Sequence, residues 1–297
     1  MDERFHPAIA AIKSGNIERL YLLLKDDAGL ATARSSTGHP TLLQCLALDA
    51  RDVSNQVEMA KVLIDAGADI NEPLVAAASG NNAVAAAALL DAGADINGIG
   101  TWSPLEEALY WNSAAVIELL VARGASIHNL RIAAGLGRID LIEGFFDSDG
   151  RLKPAAGRID WPFEGLAKSS VASPITRELQ QKMAGWPQDQ QSIVNNALIY
   201  ACIHNRIEAA KLLLERGAEV NAIPPGFDYA GTALHNAAVH GHRTMVEFLI
   251  EHGADANIKD QKVNSTPAGW AEHGGHKALS EYLKGIAAAP AQHKRSD

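Results

Sequence analysis

The sequence predicts an all-α solenoid in which short helix pairs stack on copies of themselves. Three observations support this fold class. A nine-residue phrase recurs along the chain, each copy follows two short helical patterns, and the apolar content of 47% includes only 5% of aromatic residues. Apolar content that is mostly alanine and leucine favours closely packed helices over a sheet.

The repeated phrase closes each predicted helix pair. It occurs as LIDAGADIN at 63–71, LLDAGADIN at 89–97, LVARGASIH at 120–128, LLERGAEVN at 213–221 and LIEHGADAN at 249–257. Its glycines, Gly67, Gly93, Gly124, Gly217 and Gly253, are spaced 26, 31, 93 and 36 residues apart. Three steps are close to one period, so the step of 93 is expected to contain a further repeat and an insertion.

The clearest copy covers Thr232–Asn257. Leu234 marks the buried side of a first helix, and Met245 and Leu249 mark a second helix after the turn. Gly253 is expected to end that second helix, because glycine adopts the left-handed conformation at little cost. A helix pair of this size cannot bury its own apolar faces, so it must stack on its neighbours.

This copy resembles the ankyrin repeat, whose Thr-Pro-Leu-His-x-Ala-Ala, Gly-His and Gly-Ala-Asp-x-Asn phrases it matches with few changes. The resemblance recurs in degraded form over nearly the whole chain. It implies eight units with short finger hairpins between them, the first and last unit acting as caps. Helix pairs are expected near 6–30, 41–66, 73–92, 103–123, 129–146, 196–216, 232–252 and 266–284. The implied organisation is units one to five in 1–146, an insertion in 147–191, units six to eight in 192–284, and a disordered tail in 285–297.

Composition excludes several classes of function. The net charge of −9 argues against a general binder of nucleic acid or anionic membranes. Cys45 and Cys202 show no metal-type spacing and fit a reducing compartment. The first ten residues lack the regions of a signal peptide, and no apolar run reaches the roughly 20 residues of a membrane span. A cytoplasmic protein is expected.

Four histidines lie in the clearest copy, and the resemblance gives them different roles. His235 is at the position that typically links its own turn to the neighbouring repeat, and His242 is at the Gly-His position between the helices. Both roles are structural. His252 is expected at a helix C-terminus, where a partly protonated ring meets the negative end of the dipole. His240 is at a position that the family usually leaves exposed on its concave face.

Neither a metal site nor a catalytic motif is predicted. His204 and His240 are in register on adjacent units, but zinc needs three or four ligands and no third is evident. The chain contains no nucleophile elbow, no phosphate-binding glycine loop and no H-E-x-x-H motif. Glu106 and Glu107 are the one adjacent acidic pair at a helix start, where negative charge complements the dipole. We therefore expect no cofactor and no catalysis.

Departures from the repeat pattern concern the fingers and the insertion. Units three and five are expected to lack fingers, while unit seven has a long one, AIPPGFDYAG, which carries Phe227 and Tyr229. The insertion contains Trp161, Phe163 and Trp186, three of the sixteen aromatic residues. Ser173–Gly185 within it is predicted as a helix. The insertion either covers gaps left by missing fingers or forms one wall of a pocket.

Surface charge and aromatic residues together suggest a binding surface. Tyr110 and Trp111 are expected on the concave face, beside a block between Lys61 and Arg123 that contains eight acidic residues and no basic one. Exposed tryptophan is costly unless it is covered or used. The residues expected to contact a partner are Trp102, Glu106, Glu107, Tyr110, Trp111, Leu136, Trp161, Phe163, His204, Phe227, Tyr229 and His240.

The sequence therefore predicts a non-catalytic scaffold that recognises another protein through its concave and finger surface. The partner would carry a basic segment flanking an apolar residue, and neither nucleic acid nor a membrane is expected to bind. The alternative is a small-molecule site or an enzyme, with a pocket between units three to five and the insertion. A deep pocket with convergent polar groups would favour this alternative.

Overall fold

The structure, a computed structural model, describes residues 3–35, 41–98, 103–159, 181–228 and 230–288. The described residues form two compact units, each of which contains several of the repeats predicted above. From here on, the first and second unit are these two parts of the molecule and not single repeats. The first contains the described residues up to Ser126 together with 181–183. The second contains the described residues from Ile127 to 159 and from Ala184 onward.

The first unit consists of four helix pairs. Its first helices pack side by side in one row and its second helices in another. The helices are α1 His6–Lys13, α2 Ile17–Asp26, α3 Leu42–Asp49, α4 Gln56–Asp65, α5 Asn71–Ser79, α6 Ala83–Asp91, α7 Pro104–Tyr110 and α8 Ala114–Ala122. The odd-numbered helices form the first row and the even-numbered helices the second.

The second unit repeats this arrangement with four further pairs. The first helices α9, α11, α13 and α15 again pack in sequence, and α10 packs against α12. The bounds are α9 Leu130–Leu136, α10 Ile139–Gly144, α11 Gln190–Ile203, α12 Ile207–Glu215, α13 Ala233–Val239, α14 Arg243–Glu251, α15 Pro267–His273 and α16 Lys277–Ala288. Within the described part of the chain, the helices α1 to α16 thus form eight pairs.

Alanine and leucine form the interface between neighbouring helices. In α5 the buried side chains include Leu74, Ala77 and Ala78, all with no exposed surface. Small side chains allow the next helix to approach closely, whereas a branched or aromatic residue there would hold it away. The low aromatic content of the sequence is therefore a direct consequence of the stacking.

The Gly-Ala-Asp-x-Asn phrase joins each pair to the next. The Asn71 Oδ1 atom accepts the Asp95 backbone N–H at 2.8 Å, and Asn97 Oδ1 accepts the Ser126 N–H at 2.8 Å. In the second unit Asn221 Oδ1 accepts the Asp255 N–H at 2.9 Å. The final asparagine of the phrase is thus a structural link between successive repeats.

Two predicted features of the fold differ from the structure. Helix α11 begins at Gln190, six residues before the predicted start at Asn196, because Asp189 caps it by accepting the Ser192 N–H at 3.0 Å. Where the connections between pairs lie within the described residues, the predicted finger hairpins are not paired strands. Among the described residues, β-type pairing is limited to one isolated antiparallel bridge between Phe146 and Leu152. Most of the predicted helix Ser173–Gly185 lies outside the described residues. Within the part of it that is described, residues 181–184 are helical.

Candidate protein-binding surface

Trp111 is the exposed aromatic residue that the sequence predicted at the end of a first helix. It directly follows α7 and leaves 44% of its surface exposed. Its indole N–H donates to Glu107 Oε1 at 2.8 Å, and its ring meets Tyr110 edge-on, with centroids 5.1 Å apart and an interplanar angle of 75°. These contacts hold the indole in one orientation, which makes it a preorganised apolar contact site.

Glu106 and Glu107 are not surface charges, and this part of the prediction is wrong. Their side chains are 0% and 3% exposed. Ser103 caps α7 by accepting the Glu106 N–H at 3.1 Å, which directs the first turn of the helix into the stack. Glu107 instead positions the Trp111 indole from below the surface. Neither carboxylate can steer a partner across solvent.

The acidic block between Lys61 and Arg123 is also less negative than its sequence count suggests. Asp65 pairs with Lys61 at 2.8 Å and Asp91 pairs with Arg123 at 2.7 Å, so the two flanking cations neutralise part of the block. Glu72 pairs with Arg34, which lies 38 residues earlier in the chain, at 2.9 Å. The acidic residues of the block that are neither buried nor in one of these ion pairs are Asp69, Asp95 and Glu118.

In the second unit, three predicted contact residues lie at equivalent ends of neighbouring first helices. Leu136 is the last residue of α9, while His204 and His240 directly follow α11 and α13. All three are partly exposed. Of the three side chains, His240 is partly covered, because its ring stacks on His242 with centroids 5.8 Å apart. Burial, followed by the neighbouring His242 and His276, lowers the pKa of His240 to about 4.

The predicted structural roles of the other histidines are confirmed. His235 is fully buried, and its Nε2 bonds to the Ser265 carbonyl of the next pair at 3.1 Å. His242 Nε2 bonds to the Ile203 carbonyl of the preceding pair at 2.8 Å. His252 follows the last residue of α14, where its Nδ1 contacts the Phe248 carbonyl at 2.7 Å.

The long connection before α13 lies against its own unit. Phe227 is partly exposed and packs on the buried Tyr200 ring at a centroid distance of 5.4 Å. Asn196 donates to the Pro225 carbonyl at 2.8 Å and anchors the same connection. Asp228 pairs with Lys262 of the following connection at 3.1 Å. The Phe227 ring is therefore held in place and is presented to solvent along one side.

Asp260 organises the next connection, and sequence reasoning missed it. Its carboxylate is 4% exposed and accepts backbone N–H groups from Lys262, Val263 and Ser265 at 2.7–2.8 Å, and the Trp270 indole N–H at 3.0 Å. Burial alone would raise its pKa, but these hydrogen bonds outweigh burial and lower the pKa to about 2. The sequence did carry a signal for this role, since Asp260 lies three residues after Asn257 in a connection rich in polar residues.

Two glutamines fasten the ends of the insertion to each other. Gln188 bonds through its amide to both the N–H and the carbonyl of Ile159, at 2.8 and 3.0 Å. Gln190 similarly bonds to the Leu152 N–H at 2.8 Å and the Gly150 carbonyl at 3.1 Å. The predicted contact residues Trp102, Trp161, Phe163 and Tyr229 lie outside the described residues.

Among the described residues, no group of three or more His, Cys, Asp or Glu side chains is arranged to hold a metal ion. Both cysteines are buried thiols, and burial raises the pKa of Cys45 to about 11. Over the same part of the chain, every helix is too short or too polar to cross a bilayer.

Comparison with known proteins agrees with the helix pairs and their links. The family model for ankyrin repeats (3 copies) matches residues 46–131 and 171–260, which together are more than half of the chain. The chain belongs to the ankyrin-repeat family. Ankyrin repeats generally mediate interactions between proteins, and the fold is typically a non-catalytic binding scaffold.

Similar proteins share only part of their length with this ankyrin-repeat chain. Ankyrin repeat and SOCS box protein 6 of Homo sapiens is 38% identical over 93 residues, which are 31% of this chain and 21% of that protein. The putative E3 ubiquitin-protein ligase XBAT35 of Arabidopsis thaliana is 46% identical over 59 residues, 20% of this chain and 13% of the relative. The chain thus spans about a fifth or less of these relatives. A crystal structure of the human ASB11 ankyrin repeat domain aligns over 96% of this chain and 99% of its own, with 19% identity and a TM-score of 0.41.

Proposed function

We propose that this ankyrin-repeat chain is a non-catalytic scaffold that recognises another protein. The observation that supports the proposal most is Trp111, a large aromatic side chain that is 44% exposed yet fixed by Glu107 and Tyr110. Aromatic anchors of this kind provide a large share of binding free energy at protein interfaces. The proposed role needs no cofactor, nucleic acid or membrane. Two buried thiols, Cys45 and Cys202, agree with a reducing compartment such as the cytoplasm.

The contact surface is proposed to include the first-helix ends and the long connection. In the first unit it centres on Tyr110 and Trp111. In the second unit it uses Leu136, His204 and Phe227, with His240 in a partly covered position at its edge. Since Glu106 and Glu107 are buried, they are proposed to make no direct contact, and Glu107 supports the Trp111 indole. Trp102, Trp161, Phe163 and Tyr229 remain proposed contacts.

The partner is proposed to insert an apolar residue beside Trp111 and to carry basic residues next to it. The remaining carboxylates Asp69, Asp95 and Glu118 support this choice, because the block itself contains no Lys or Arg. Ion pairs with Arg34, Lys61 and Arg123 reduce the field, so electrostatic attraction should be modest. Affinity should therefore fall by less than about tenfold as salt shortens the screening length from ~10 Å to ~3 Å.

The test first identifies a partner by affinity purification from the native cell and mass spectrometry, and then measures its affinity by titration calorimetry. Trp111→Ala should weaken binding by at least ~2 kcal/mol, or roughly 30-fold. Trp111→Gln removes the ring but can keep an N–H donor for Glu107, and it should weaken binding equally. Tyr21→Ala removes a more exposed aromatic ring on α2 and serves as the matched control with unchanged affinity. Binding that tolerates both Trp111 variants would place the site elsewhere, most directly at Phe227.

A further inference from the structure

Three imidazoles meet where the last helix pair joins the one before it. His240 follows α13, His242 precedes α14, and His276 directly precedes α16. The first two rings stack with centroids 5.8 Å apart and an interplanar angle of 28°. The His276 ring covers Gly241 so closely that a Cβ at that position would lie 2.5 Å from its ring atoms. We call these three side chains the histidine latch.

The latch lies beside both contacts that the α13–α14 pair makes with its neighbouring pairs. The His242 ring must carry its proton on Nε2, since that nitrogen bonds to the Ile203 carbonyl at 2.8 Å and a carbonyl only accepts. On the side that faces α15–α16, the backbone of Gly274 lies directly against the Val239 carbonyl, leaving no room for a side chain. Any change that pushes the rings apart therefore acts on the contact between α13–α14 and α15–α16.

Among the described residues, the titratable groups that face the rings of the latch are all ones that carry positive charge when protonated. His242 faces the Arg206 guanidinium from the preceding pair and His276 from the following pair, and His240 faces His242 and His276. Lys277, the first residue of α16, is exposed next to His276. Arg243 is engaged elsewhere, with Glu247 at 2.6 Å and over the Tyr282 ring at 3.6 Å. No carboxylate in the described part of the chain shifts His240 or His242, so a proton on one ring is opposed by these neighbours.

We propose that the histidine latch makes the last ankyrin pair acid-labile: it holds α15–α16 against α13–α14 while the His240 and His242 rings are uncharged, and mild acidification undocks that pair ahead of the rest of the chain. Positive charge on two stacked rings is repulsive, and each ring loses solvation when the pair is docked. Opening exposes the rings to water, which screens their repulsion and restores their solvation. The proposal concerns regulation and does not depend on which partner the chain binds.

The size of the effect follows from linkage. Burial and the two neighbouring imidazoles lower the pKa of His240 from 6.5 to about 4 in the docked state. The open state binds more protons between these values, so docking is most stable above pH 6.5 and weakens as the pH falls toward 4. At pH 5, His240 alone raises the equilibrium constant for opening by about 30-fold over its value at pH 8. Burial also lowers the pKa of His242, which acts in the same direction.

The experiment is hydrogen–deuterium exchange of the full chain at pH 8 and pH 5, with rates corrected for intrinsic pH dependence and resolved by mass spectrometry. Protection in α15 and α16 should fall by about 30-fold at pH 5, while protection in α5 and α11 stays within threefold. An equal loss in all helices would mean global unfolding and would overturn the proposal.

A variant without titratable rings provides the decisive control. The combination His240→Gln, His242→Asn and His276→Asn keeps neutral polar groups, and asparagine already performs the equivalent task at Asn82, which donates to the Ala47 carbonyl at 2.9 Å. This variant should lose most of the acid response of α15–α16 and keep the part that His235 contributes at the same junction, whereas His252→Gln, which alters the exposed ring at the end of α14, should keep the full response. An unchanged acid response in the triple variant would refute the latch. If that variant does not fold, an NMR titration of wild-type His240 decides: a midpoint near 4 supports the latch, and one at or above 6.5 overturns it.

Discussion

Replacing His235 with alanine should destabilise the second unit more than any other single histidine substitution at neutral pH. The ring is fully buried and lies edge-on to Trp270 at a centroid distance of 5.1 Å. Its Nδ1 accepts the Thr232 backbone N–H at 3.1 Å, and its Nε2–H donates to the Ser265 carbonyl at 3.1 Å. Alanine removes both bonds, of which the first closes the capping box at the start of α13 and the second joins α13 to the connection before α15.

The expected cost is about 3 kcal/mol. A buried backbone donor without a partner costs roughly 1–3 kcal/mol, and His235→Ala leaves the Thr232 N–H in this state, while the Ser265 carbonyl keeps the Asp260 N–H at 2.9 Å. Loss of the ring adds a cavity beside Trp270, and entry of water offsets part of the total. Burial also lowers the pKa of His235, so the wild-type contribution should decline as the pH falls below 6.5.

His235→Gln is the matched control, because the chain already contains the glutamine version of this cap. Gln44 Oε1 accepts the Thr41 N–H at 3.1 Å in the capping box of α3. His235→Gln should therefore cost about 1–2 kcal/mol less than His235→Ala, since it restores one of the two bonds. Urea denaturation followed by circular dichroism at pH 8 measures both variants beside His240→Ala, expected to cost under about 1 kcal/mol. A larger loss for His240→Ala than for His235→Ala would reverse the assigned roles.

Three further outcomes test other parts of the molecule. Protein purified without a metal-affinity tag should hold sub-stoichiometric zinc by metal analysis, and one equivalent that disappears on combining His204→Ala with His240→Ala would contradict this. Asp260→Asn should cost about 2–3 kcal/mol at pH 7, since four donors lose a charged acceptor. The wild-type contribution should be present above pH 3.8 and lost toward pH 2, so the two urea midpoints should converge in acid. Gly241→Ala should destabilise by at least ~2 kcal/mol and Gly275→Ala by about 1 kcal/mol, because both have positive φ but only Gly241 lies under another side chain.

The helix pairs could be predicted from the sequence because their signals are local. The glycine within each repeated phrase, such as Gly93, follows a second helix and has a positive φ, as the pattern requires. The position of His235 in its turn was likewise enough to indicate its hydrogen bonds. Helix α11 started earlier than predicted because Gln190, Gln191 and Ser192 carry no apolar pattern, and the signal was instead the capping residue Asp189.

The candidate surface was less predictable because it depends on contacts between distant residues. Glu106 and Glu107 are charged residues in a first turn, and nothing local distinguishes a buried first turn from an exposed one. The net charge of the acidic block depends on Arg34, which lies outside the block in the sequence and beside Glu72 in the structure. A count of charges along the chain therefore overestimated the field near Trp111.

The residue directly before the second helix of a pair differs between the two units, and this difference affects how the links between pairs respond to pH. Asn55 and Asn82 of the first unit donate to the preceding pair's Gly15 and Ala47 carbonyls at 2.8 and 2.9 Å. In the second unit the same task is performed by Arg206, which donates to the Gly135 carbonyl at 3.1 Å, and by His242.

Stacking itself therefore requires a hydrogen-bond donor and not a charge. A neutral amide makes the link between pairs independent of pH, whereas an imidazole next to a guanidinium makes it weaken on protonation. Acid sensitivity of the links between pairs should consequently be confined to the second unit. The substitution Asn82→His in the first unit should make the docking of α5–α6 partly acid-sensitive. Unchanged protection of α5–α6 at pH 5 in that variant would show that the donor's titration does not control docking.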